Sequence, residues 1–143
     1  MLFMNAHPLL FCILIVVVAA CGGKQAEQHD GDHYAEWKEM DEFHLLMAES
    51  YHPYRDSSNL DPVKQNAAAL LAAANQWASA ELPVRAARKE VRDLLSRLQA
   101  ETSALVERVR MGDDPAIADQ LTRLHDTFHE IQEMWYGGRS GHH

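Results

Sequence analysis

From Tyr34 onward the chain repeats a pattern of period close to 3.6, the mark of helices with one buried face. Trp37, Met40, His44, Met47 and Tyr51 recur at that spacing, with Phe43 and Leu46 beside them. They predict a first helix over 34–54, ended by Pro53 and the polar "RDSSN". A second stripe runs through Val63, Ala67, Leu70, Ala74 and Trp77, and "ELPV" breaks it. Its start is marked by Asp61 as N-cap and Pro62 at the first helical position, where a missing N–H costs nothing. A third stripe, Val91, Leu95, Leu98, Thr102, Leu105 and Val109, comes close to a heptad seam. "MGDDP" stops it and opens a fourth helix with another Asp–Pro start, Asp114 and Pro115. Ile117, Leu121, Leu124, Phe128, Ile131 and Trp135 line that helix, and "GGRSGHH" reads as a tail over 137–143.

No segment alternates with the period of two that a strand requires. Four amphipathic helices with short connections predict an all-α fold, an up-down-up-down antiparallel four-helix bundle over 34–136. The polar, glycine-bearing "GGKQAEQHDGDH" before it reads as a flexible tether over 21–33. The formal net charge is −8. With no basic cluster, that balance argues against nucleic acid and against electrostatic docking on anionic lipid.

The chemistry worth weighing is carried by histidine and methionine. If helices 1 and 4 are antiparallel neighbours, counting at about 1.5 Å per residue from the expected helix ends puts His44 level with His125. The same count puts Met40 near His129, and Met47 near Leu121 and Thr122. Met40, His44 and Met47 share one face of helix 1, and His125 and His129, four apart, share one face of helix 4. Imidazole suits copper, zinc, iron and nickel, and thioether selects Cu(I). The residues therefore point to a transition-metal ion, copper before zinc, on His44, Met47, His125 and His129, with Met40, Glu49 and His52 as outer candidates. Glu49-x-x-His52 has the spacing of di-iron bundle ligands, but no second such motif accompanies it. The opposing reading is packing alone: methionine on an apolar helix face is commonly core filler, and His52 beside Pro53 could simply serve a helix end.

Cysteine and motif content narrow the classes further. Of the two cysteines, Cys12 lies in an apolar run and Cys21 directly after it, so neither suggests a disulfide, a zinc–thiolate site or a nucleophile. No Cys-x-x-Cys-His is present for covalent haem. No nucleophile stands beside a base in a recognisable motif, and no glycine-rich phosphate loop occurs. The residues thus argue for binding rather than catalysis.

Two resemblances add to this reading. "LLFCILIVVVAAC" has the length of a signal peptide and falls short of the roughly 20 apolar residues of a membrane span. Its end, Val18, Ala19, Ala20 and Cys21, resembles the lipobox of bacterial lipoproteins, although only His7, and no Lys or Arg, precedes the run. The resemblance implies a signal peptide over 1–20, cleavage before Cys21, and acylation of Cys21 to hold the chain to a lipid bilayer. Gly22 in place of the aspartate of the enterobacterial retention rule implies the outer membrane, facing the periplasm. Separately, Met40 or Met47 on helix 1 with His125 or His129 on helix 4 resembles the arrangement of soluble periplasmic b-type cytochromes. That resemblance implies non-covalent haem b and electron transfer. The expectation is a lipid-anchored metal-binding protein for buffering, delivery or resistance, with a metal-donor or acceptor protein as partner. A ligand-free envelope lipoprotein and a b-type haem protein remain the alternatives.

Overall fold

The computed structural model describes residues 37–137. The expected signal peptide, Cys21, the expected tether and all of the expected tail but Gly137 lie outside the described residues. Four helices, α1 (Lys38–Ser57), α2 (Asp61–Ser79), α3 (Lys89–Met111) and α4 (Asp114–Gly137), form an antiparallel four-helix bundle. A short 3₁₀ turn, Val84–Ala86, lies between α2 and α3. Among the described residues there is no strand, and no helix is long and apolar enough to cross a membrane. Each helix packs against its neighbours in chain order, and α1 closes the ring against α4.

The stripes read from the sequence are the faces that are buried. Val63, Ala67, Leu70, Ala74 and Trp77 of α2 and Val91, Leu95, Leu98, Thr102 and Leu105 of α3 are all buried. The chain's three tryptophans gather at one end of the bundle: the Trp37 ring centroid lies 5.2 Å from that of Trp77 and 5.1 Å from that of Trp135. Phe43 continues the stack inward, 5.6 Å from Trp77 and 5.7 Å from Phe128. Offset and edge-on aromatic pairs of this kind add about 0.5–1.5 kcal/mol beyond the area they bury. At the same end the α2–α3 connection caps α4. Arg85 donates to the Trp135 carbonyl at 3.2 Å, Arg88 donates to the Met134 carbonyl at 3.4 Å, and the Arg85 guanidinium lies 3.3 Å above the Trp135 ring. Two cations thereby meet the negative end of the helix dipole and carbonyls that α4 leaves unpaired.

Four boundaries differ from the sequence reading. α1 starts about a turn after Tyr34, and Pro53 lies inside it rather than ending it. Past Pro53 the helix runs on to Ser57, and its last carbonyls find partners. Ser57 Oγ donates to the Pro53 carbonyl at 2.8 Å, and the Ser58 N–H donates to the Tyr54 carbonyl at 2.7 Å. Tyr51 and Tyr54 also pack against the core across the proline. Ser58, at φ 55°, then turns the chain out of the helix. The two expected N-caps are also displaced. Asp61 and Asp114 are the first helical residues. The accepting side chains come just before them: Asn59 Oδ1 takes the Asp61 N–H at 3.0 Å, and Asp113 Oδ1 takes the Ala116 N–H at 3.1 Å.

Candidate metal site between the first and last helices

The backbones of α1 and α4 approach each other at far fewer points than those of the other neighbouring pairs. Side-chain size accounts for this. α2 offers Ala67 and Ala74 to the core, whereas the α1–α4 seam is filled by Phe43, Met47, Tyr51, His125 and Phe128. The helices are held apart, and a groove of about 320 Å³ opens on the outer side of the seam. His44, His52, His125 and His129 line it, and these are all the histidines among the described residues.

Each imidazole has a distinct setting. His125 is half-buried and lies flat against Tyr51, with ring centroids 3.6 Å apart and planes 11° from parallel. His129 stands nearly edge-on to it, and the two Nε2 atoms are 3.0 Å apart. At that distance one Nε2 carries a hydrogen and the other accepts it. His44 is exposed and stacks on Phe128 at 5.2 Å. His52, also exposed, faces the groove one turn beyond Ala48. Burial and the neighbouring His129 hold the proton affinity of His125 below the ordinary histidine value, while Asp126 opposes them. His125 Nδ1 is buried without a hydrogen-bond partner. The nearest carboxylate oxygen, Asp126 Oδ1, is 3.7 Å away, beyond hydrogen-bond range.

The structure brings four of the expected site residues to this groove, His44, Met47, His125 and His129, together with the outer candidate His52. Met47 reaches it from the core, where it is 1% exposed. Met40 is equally buried but does not line the groove, and Glu49 is exposed and lies outside it. The expected levels are corrected. His125 meets Tyr51 rather than His44, and His44 meets Phe128. The later start of α1 is the reason: moving it by a turn moves each partner on α1 toward the C-terminal end. The same extension through Pro53 carries His52 from a helix end into the groove wall. Tyr51 and Arg55, which the sequence reading left out of the site, line it too. The spacing that could have found them is His44, Ala48, Tyr51, His52 and Arg55, a face at i, i+4, i+7, i+8 and i+11.

Two nitrogens at 3.0 Å have the separation of two ligands on one ion. With metal–nitrogen bonds of about 2.0–2.1 Å, they would subtend roughly 95° at it. Among the described residues, however, no three His, Cys, Asp or Glu side chains converge closely enough to hold a metal. A third ligand would therefore have to swing in, and the exposed rings of His44 and His52 stand at the groove's edge. Comparison with family models, with curated proteins and with solved structures finds no match to this chain.

Proposed function

We propose that this is a lipid-anchored envelope protein that binds a transition-metal ion in the α1–α4 groove, copper before zinc. His125 and His129 are the primary ligands, His44 or His52 supplies a third, and Met47 offers a thioether from the core. The observation that carries this reading is the 3.0 Å approach of the two Nε2 atoms in a groove walled by four imidazoles. Imidazole and thioether together suit copper, and imidazole alone suits zinc equally well. An open pair with exposed outer ligands suits an ion that is taken up and passed on, so buffering or delivery is favoured over turnover. An ion is favoured over haem b because Phe43, Trp77 and Phe128 fill the interior beside Met47 with rings in mutual contact. The anchor rests on the resemblance of Val18, Ala19, Ala20 and Cys21 to a lipobox, and Gly22 after it favours the outer membrane.

Metal analysis and an absorption spectrum decide between the readings. The full-length protein, extracted in detergent without chelator from cells supplied with copper, zinc and iron, is expected to carry about one equivalent of one metal. The double replacement His125→Ala and His129→Ala is expected to remove it while leaving helicity intact. Met47→Leu is expected to weaken Cu(I) far more than Zn²⁺, and equal effects would displace copper from first place. A Soret band would establish haem instead. Metal-free protein would favour a ligand-free envelope lipoprotein.

A further inference from the structure

His125 presents one nitrogen to the groove and keeps the other out of water. Its Nε2 faces His129, and its Nδ1 is buried with no hydrogen-bond partner. An unpartnered polar atom in such a place costs stability, and its retention calls for a reason. The neutral ring carries one proton. If an ion took Nε2, that proton would have to sit on Nδ1, which would then need an acceptor. A cation on the ring also makes the Nδ1–H a stronger donor. One carboxylate stands beside it: Asp126 Oδ1, 3.7 Å from Nδ1 on a side chain that is 67% exposed. Asp126 has no other partner holding it, and a small rotation would bring it within the hydrogen-bond range of about 2.7–3.2 Å. The stacked Tyr51 ring fixes the plane in which His125 can turn.

We propose that Asp126 is the positioning carboxylate of the metal site, closing onto His125 Nδ1–H when an ion occupies Nε2. Asp126 does not ligate the ion. It selects the tautomer that leaves Nε2 free to bind and raises the basicity of that nitrogen, the role of the outer carboxylate in carboxylate–histidine–metal arrangements. The inference rests on the metal reading and adds a residue that spacing alone does not supply, since Asp126 is the immediate chain neighbour of the ligand it would orient.

The test uses full-length protein in detergent, Zn²⁺ as a diamagnetic probe, and calorimetric titration. Asp126→Ala is expected to weaken Zn²⁺ binding by about 10–100-fold. Asp126→Asn is expected to recover part of that loss, because its amide oxygen still accepts the Nδ1 proton. Ring-nitrogen NMR of the loaded wild type is expected to show His125 protonated at Nδ1 in a hydrogen bond that the alanine variant lacks. Wild-type binding with unchanged affinity in Asp126→Ala overturns this inference and leaves the metal site standing. An affinity loss with no change in the Nδ1 proton signal also overturns it, since it marks a general effect of charge. A wild-type protein that binds no Zn²⁺ and no copper overturns the site and the positioning role together.

Discussion

The His125 imidazole is held below its ordinary proton affinity, first by burial and then by repulsion from His129, with Asp126 acting in the opposite direction. The unfolded chain therefore binds a proton at this position more readily than the folded one. Stability must rise with pH across the interval between the lowered folded value and the ordinary value of about 6.5. Chelator-treated protein is expected to lose melting temperature as pH falls through about 6.5, and His125→Gln is expected to flatten that loss. A melting temperature independent of pH in this range, or an unchanged slope in the variant, would show that His125 is not the group responsible. At this scale the sequence was informative about identity and weak about partners. His125 and His129 were legible as a pair because four residues is one helical turn. Tyr51 against His125 was not legible, because which residue faces which across a seam depends on where each helix starts.

Helix starts are the least secure part of such a reading, and both Asp–Pro junctions show why. Sequence makes the aspartate beside the proline the natural cap, but in each case the accepting oxygen belongs to an earlier residue, Asn59 or Asp113. At the α3–α4 junction the two aspartates are therefore not equivalent. Asp113 holds the Ala116 N–H, whereas Asp114 pairs with Lys64 at 2.7 Å with both side chains substantially exposed. Asp113→Ala is expected to cost about 0.5–2 kcal/mol in urea denaturation, the usual cost of removing a cap. Asp114→Ala is expected to cost about 0–1 kcal/mol, since exposed ion pairs contribute little. A larger loss for Asp114 would return the cap to the position read from sequence. Pro53 teaches the same lesson in reverse. Proline usually stops a helix, yet here α1 runs on past it to Ser57, with Tyr51 and Tyr54 packed against the core on either side, and that packing has no local signature at Pro53.

Across the whole molecule the bundle was legible almost complete, because its stripes are long and none of them alternates. Phe43, Trp77 and Phe128 show how the core ties the helices together: rings from α1, α2 and α4 are in mutual contact. Phe128→Ala is expected to destabilise by about 3–5 kcal/mol, the range for emptying a buried aromatic site. His44→Ala, which removes the exposed ring stacked on Phe128, is expected to stay within about 0.5 kcal/mol. If His44→Ala proved as costly as Phe128→Ala, the imidazole would belong to the core rather than to the groove.

The seam between α1 and α4 differs from every other in the ring in that no loop joins its two helices and their backbones stay apart. Covalent continuity holds the other three seams even when their packing loosens, but this one is held by side chains alone. Local opening should therefore start here, at a cost well below that of global unfolding. In hydrogen exchange, the amides of α1 should exchange ahead of those of α3, which has a close-packed neighbour on each side. A ligand that joined His125 to a ring on α1 would bridge the first and last helices and slow that exchange, so α1 amide protection offers a readout of groove occupancy.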